Sequence, residues 1–259
     1  LASGPFDLVF FTGDLANFGI EGEYDEVMEF VQSLLGQLRL DVSRFFPIPG
    51  NHDINRRTSP RIWRRLRDGS ITAPRQQFSR WMAGEEPIPT GMRATWPDLL
   101  LERQEAFWRF DEDVGRPDLL PARSPHRRLG YRNTITGLRP FPIHILGLDS
   151  SWLAGEPTES GKLQLTDDQI MRLGTDEHGV ALTGLRLALV HHPLSDLADQ
   201  TSARRLLSDT VDLLFHGHVH DPASLSIRDP DRSLPVVAAG CLYDRTDTTA
   251  FPNECQAIE

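Results

Sequence analysis

Apolar positions along the chain fall into short runs, and most of those runs stop at a small polar cluster. Residues 7–12 (DLVFFT) form the first run and end at Gly13-Asp14. Residues 45–48 form a second, halted by Pro49-Gly50, and similar runs cover 143–148, 185–190 and 211–215; strand texture at 131–136, 235–239 and 254–258 completes the list. Apolar character without alternation over so few residues marks strands covered on both faces. Between the runs the period changes. Tyr24, Val27, Met28, Val31, Leu34, Leu35 and Leu38 recur at helical spacing and predict a helix over 21–38. Thr166 and Gln169 hold the two reciprocal positions of a capping box, so a helix through Leu173 is expected. Two further helical segments are expected near 76–82 and 98–113, inside a weakly patterned stretch from about 55 to 130. That stretch reads as a helical cap-like insertion at the mouth of a site, within a single domain over 1–259.

Strands alternating with helices predict an α/β fold. In open α/β folds, ligands gather at the carboxyl edge of the strands. Here that edge collects chemistry: Gly13-Asp14, Gly50-Asn51-His52-Asp53, His191-His192-Pro193 and Gly217-His218-Val219-His220 all follow apolar runs. Asp14 offers a carboxylate able to bridge two cations, Asn51 an amide oxygen, and His191, His218 and His220 imidazoles. A mixed oxygen and nitrogen set suits manganese, iron, zinc or nickel better than calcium. Two such ions ~3.5–4 Å apart activate water and steady an in-line displacement at phosphorus. His52, directly after the amide, is the candidate catalytic group that is not a ligand. Asp53 is expected to be catalytic beside it, orienting the imidazole or raising its pKa.

Each of these residues also has a plain reading. Gly-Asp before a helix is a common turn, and paired histidines at a strand end are often only solvated. Asp149-Ser150 reads as a hydrogen-bonding corner. Ser150 has no base beside it in sequence, so a serine hydrolase is rejected. His216 reads as a strand residue, and His126, His144 and His178 as surface or strand residues. Arg56, Arg57, Arg61, Arg64, Arg65 and Arg67 form a basic stretch that reads as a solvated helix face, with Arg56 or Arg57 a candidate contact for substrate phosphate. Trp63, Trp81, Trp96 and Trp108 read as packing residues.

The 259 residues carry a net charge of −10, which argues against nucleic acid as a partner but not against a phosphate substrate held by metal ions. Two cysteines, Cys241 and Cys255, without zinc-type spacing suggest a reduced, cytoplasmic setting. No apolar run approaches ~18 residues, so no membrane partner is expected.

The four motifs, in this order, resemble the calcineurin-like metallophosphoesterase family. The surroundings of Phe46-Pro-Ile-Pro-Gly-Asn-His-Asp and of His216-Gly-His-Val-His most resemble its bacterial cyclic-nucleotide phosphodiesterase-like branch. The resemblance implies a four-layer α/β/β/α sandwich holding two divalent metal ions. It implies that Asp14 bridges them, that Asn51, His191 and His218 complete one shell, and that His220 binds the other ion. His52 would be the catalytic histidine, and His192 would support the ligands without being one. The implied activity is hydrolysis of a small phosphodiester or phosphomonoester, a nucleotide among the candidates, by metal-activated hydroxide. The family pattern begins with Asp-x-His on a first strand, and none of the twelve residues before Gly13 forms it. With no initiating Met either, the chain is expected to be a segment joined to further domains, with the first strand upstream. The alternative is a catalytically impaired nucleotide-binding or regulatory module. A nuclease of the same family is disfavoured by the acidic charge.

Overall fold

The computed structural model describes residues 5–72, 75–85, 87–121, 129–156, 158–219, 223–229, 232–240, 255 and 257–258. The first two strands, β1 (Val9–Phe11) and β2 (Phe45–Pro47), pair in parallel, with Val9 opposite Phe45. The helix between them, α1 (Tyr24–Leu38), follows a single 3-10 turn over Glu21–Glu23. It ends where Arg39 enters the left-handed region, and Leu40 N–H closes the last turn by donating to Leu35 O at 2.9 Å.

A six-stranded sheet forms the second half. Its strands are β3 (Tyr131–Ile135), β4 (Ile143–Leu148), β5 (Leu185–Val190), β6 (Leu213–His216), β7 (Ala223–Asp229) and β8 (Arg232–Ala238), in the order β3-β4-β5-β6-β8-β7. The centre is parallel; β3 and β7 are antiparallel edges. Helices α6 (Asp167–Gly174) and α7 (Gln200–Thr210) supply the crossovers.

Alternation along the strands decides the layers. Phe46, Ile48, Ile145, Leu187, Leu189 and Phe215 meet in one core between the two sheets, joined by Phe10. Their neighbours Phe11, Phe45, Leu146, Leu148, Ala188, Val190 and Leu214 face outward against helices. On the small sheet, Phe11 packs on Phe45 and Phe30, and Phe45 on Phe110. Both faces of each central strand are thus apolar, which accounts for the unbroken runs, and the result is the α/β/β/α sandwich. Among the described residues β1 is paired on one edge alone.

The weakly patterned stretch holds four helices: α2 (Pro60–Thr72), α3 (Arg75–Met82), α4 (Trp96–Leu101) and α5 (Glu105–Asp113). The helix expected over 98–113 is split at Glu102–Gln104 by a 3-10 turn. Trp63, Trp81, Trp96 and Trp108 are buried in the common core, as packing residues. Arg116 is buried against the Phe46 ring, 4.4 Å from its centroid, and donates to Val42 O, Phe45 O and Asp118.

Three expectations are corrected. The capping box is half formed: Thr166 Oγ1 accepts from Gln169 N–H, but the Gln169 side chain turns to the end of β4, and Asp199 accepts the Thr166 N–H instead. The basic run is not uniformly solvated, since Arg67 is buried and paired with Glu159. α7 and β7 stand where no element was expected. His220, His126, Cys241 and most of the expected last strand lie outside the described residues; Cys255 is a free, exposed thiol.

Candidate metal centre

The carboxyl ends of β1, β2, β5 and β6 lie together. Gly13 has φ +99°, and a Cβ there would meet His191 Nδ1 at 2.5 Å, so the two strand ends approach as closely as they do because this residue has no side chain. Asp14 follows in the left-handed region at φ 60°, and His218 adopts φ 70°.

Four of the five predicted ligands converge. Asn51 Oδ1 lies 2.9 Å from His191 Nε2 and 3.1 Å from His218 Nδ1. Asp14 Oδ2 is 3.3 Å from His191 Nε2. The fifth, His220, lies outside the described residues. His192 is closer than expected: donor atoms of His191, His192 and His218 all fall within 4.8 Å of one another. His192 is nevertheless tied to Ser150, with Nδ1 2.8 Å from Oγ, and its buried Nε2 has no partner.

The chemistry of this donor set fits a cation. His191 Nδ1 sits 2.7 Å from Thr12 O, and a carbonyl only accepts, so Nδ1 carries the proton. In the neutral ring the lone pair of Nε2 then faces two other acceptors, Asn51 Oδ1 and Asp14 Oδ2. A proton on Nε2 relieves this crowding for one ring; a divalent ion relieves it for the whole set. Holding a ligating imidazole by its far N–H on a backbone carbonyl is the usual support for such a site. The titration tendencies agree. Burial works against charge on both His191 and Asp14, yet their mutual attraction holds the histidine above its ordinary pKa and the carboxylate below its own. His192 is pushed well down, by burial first and then by His191 and His218.

His52 is exposed on the same edge. Its backbone N–H donates to Asp14 Oδ1 at 2.9 Å, and its ring Nδ1 lies 3.0 Å from Asn17 O. Nδ1 therefore bears a proton, and Nε2 is left for the pocket that His52 lines with Asn51 and His218.

Asp53, expected to orient His52, has other partners. It is fully buried and accepts from the N–H groups of Asp14 (2.9 Å), Ala16 (2.8 Å) and Gly50 (2.7 Å) and from Tyr24 Oη (2.9 Å). The partner of His52 Nδ1 is the Asn17 carbonyl and not Asp53. Burial, followed by the charge of Asp14, raises the Asp53 pKa to about 6 despite these donors.

Sequence reasoning missed three contributors. Asp196 comes within 3.8 Å of His218 Nε2, Tyr24 reaches Asp53 from α1, and Ser150 holds His192. The first follows a His-Pro turn with no periodic signal. The tyrosine was visible only as a member of an apolar stripe. Asp149 forms the expected corner, accepting from Ser151 and Trp152 N–H and from the Gln104 amide.

The chain is similar to known proteins. Over 253 residues the chain is 24% identical to the uncharacterized metallophosphoesterase-like protein YydB of Bacillus subtilis (strain 168). The match takes in 95% of this chain and 48% of YydB, so the chain spans about half the length of the curated relative it matches. Among solved structures it is similar to the sulfate thiohydrolase SoxB of Thermus thermophilus in complex with glycerol, at a TM-score of 0.34 and 12% identity. That likeness covers 88% of this chain and 38% of SoxB and is too distant to carry anything about chemistry. Residues 1–222 match the calcineurin-like phosphoesterase model, and with the sandwich and its histidine-rich edge in place, the chain belongs to the calcineurin-like phosphoesterase family.

Proposed function

We propose that the chain hydrolyses small phosphoesters, diesters or monoesters, at a centre of two divalent ions of the manganese, iron, zinc or nickel class. The convergence of Asp14, Asn51, His191 and His218 beside His52 carries this reading. Ions bound there supply a nucleophilic hydroxide at neutral pH and neutralise phosphoryl charge. Asn51 and His191 fix the position of the centre through the Thr12 carbonyl and the β5 end. Asp14, expected to bridge, is held with its backbone on Asp53 and one oxygen on His52 N–H. His52, anchored through Nδ1, presents Nε2 to the pocket and in its imidazolium form donates a proton to the departing ester oxygen. His220 is assigned to the second ion by the family pattern. In this reading the stretch from 55 to 130 is the cap-like insertion, which contributes Arg56 to the pocket lining, a substrate partner binds in that pocket, and further domains are joined to the chain. A cytoplasmic setting belongs to the same proposal and rests on the sparse cysteines. Among the described residues no helix is long and apolar enough to cross a membrane.

The test is turnover of bis-(p-nitrophenyl) phosphate and p-nitrophenyl phosphate by the manganese-loaded protein. His52→Ala is expected to lower kcat by about 10²–10⁴-fold while metal content stays at the wild-type level. Equal loss of metal and turnover would remove His52 from catalysis. Nucleotide binding without any turnover would establish the impaired regulatory module instead.

A further inference from the structure

The pocket beside the metal centre has a volume of about 550 Å³. Its lining includes Asn51, His52, His218, Arg56, Glu156 and Glu159. Both glutamates at this rim face an opposite charge. Glu159 is paired with Arg67 at 3.0 Å and accepts from the N–H groups of Gly155 and Glu156. Glu156 is paired with Lys162 at 3.0 Å and lies 3.7 Å from Arg67. Asp196 lies 3.8 Å from His218. Arg56 is exposed, and among the described residues its guanidinium has no hydrogen-bond or ion-pair partner.

The backbone under Arg56 is fixed. Asn55 N–H donates to Arg103 O at 2.8 Å, Thr58 N–H donates to Asn55 O, and Arg57 N–H donates to Asn55 Oδ1. Behind this turn Arg103 is 2% exposed, stacked 5.4 Å from the Trp63 ring centroid. One of its N–H groups reaches Ala154 O, while Nε and Nη1 are buried without a partner. Burial and then the like charge of Arg56 push Arg103 down to about 9. Among the described residues, Arg56 is thus an exposed, unpaired cation in the lining of a pocket where Glu159 is held by Arg67 and Glu156 by Lys162. A free guanidinium beside a cleft draws anions, and it offers a phosphate a planar pair of donors.

We propose that Arg56 is the specificity-determining residue of a second anion subsite, and that the substrate class is a phosphoester bearing a further phosphate near the scissile one. The subsite itself rests on the charge arrangement; the substrate class rests on the phosphoesterase reading above.

Two measurements separate the two. In the first, tripolyphosphate is titrated calorimetrically into chelator-treated protein, so that metal plays no part. Arg56→Ala is expected to weaken binding about tenfold, Arg56→Lys less so, and Arg139→Ala, at the far end of the sheet, not at all. In the second, the metal-loaded protein acts on the p-nitrophenyl ester of thymidine 5′-phosphate with and without a 3′-phosphate. The wild type should show the lower KM for the 3′-phosphorylated ester, and Arg56→Ala should abolish that advantage while kcat changes by no more than about twofold. Absence of tripolyphosphate binding to the wild type, or affinity unchanged in Arg56→Ala, overturns the subsite. A KM rise of equal size for both esters overturns the substrate class. Tripolyphosphate binding that depends on Arg56, with neither ester hydrolysed, leaves the subsite standing and removes the phosphoesterase reading.

Discussion

Asp53 joins three parts of the chain with one carboxylate. Its oxygens serve the loop after β1, the turn after β2 and the Tyr24 hydroxyl of α1. Truncation and partner removal therefore have unequal consequences. Tyr24→Phe deletes one donor and is expected to lower stability by about 1 kcal/mol with turnover unchanged. Asp53→Ala strands several buried donors together, and a loss of roughly 3–5 kcal/mol is expected, with weakened metal binding. Chemical denaturation of the two variants measures the difference; equal losses would refute the joining role. The carboxylate's place in the Gly-Asn-His-Asp motif was legible, but its partners beyond Gly50 were not, because they come from residues 29 to 39 positions away. Arg67 misled for a related reason. A run of arginines reads as solvated until a buried Glu159 from another segment accounts for one of them.

At the scale of elements, the loop from Asp14 to Ile20 is held by carboxylates at both ends. Asp53 takes the first half. Glu23, at the start of α1, accepts from the N–H groups of Asn17 (3.3 Å), Phe18 (3.0 Å) and Ile20 (3.2 Å). Phe18, 66% exposed, is thus presented on a fixed backbone one residue after the carbonyl that contacts His52. Glu23→Ala is expected to speed amide exchange at Asn17, Phe18 and Ile20 at least tenfold while α1 amides stay protected, at a cost of about 1 kcal/mol. Uniform protection across the loop in the variant would show that Glu23 is dispensable. Elements with two apolar faces or a full helical stripe were readable from the sequence: β1, β2, β4, β5, β6 and α1. α7 and β7 were not. α7 buries only Ala203, Leu207 and Thr210 among polar neighbours, and β7 is an edge strand with serines on alternate positions.

At the scale of the whole molecule, buried acids set the response to pH. Asp149 is nearly inaccessible, and burial raises its pKa from 3.8 to about 6 against the opposing hydrogen bonds from Gln104, Ser151 and Trp152. Between those values the folded chain keeps a proton that the unfolded chain has released, so this contribution to stability is full below pH 3.8 and is lost as pH rises through about 6. Asp149→Asn removes the ionisation. Gln104 can accommodate the new amide by turning, since its Oε1 is buried without a partner. Relative to the variant, the wild type is expected to lose on the order of 2–3 kcal/mol between pH 4 and pH 7. Parallel stability curves for the two proteins over that range would contradict the assignment. The family and the layered architecture were legible at this scale because four separated motifs and the strand runs point to the same answer. The charged lining of the pocket was not, because it comes from residues 56, 156, 159 and 196, each unremarkable alone.

The hydrogen bonds from Asp14 and Ala16 to Asp53 also have a kinetic consequence. They close loops of nearly forty residues, and such loops form late, after the strands that bracket them have paired. The Asp14 loop and the Gly50 turn therefore reach their final shape in one step, when β2 docks on β1. Of the donors at this edge, Asp14 and Asn51 are accordingly expected to become ready together, whatever the state of the β5 and β6 ends.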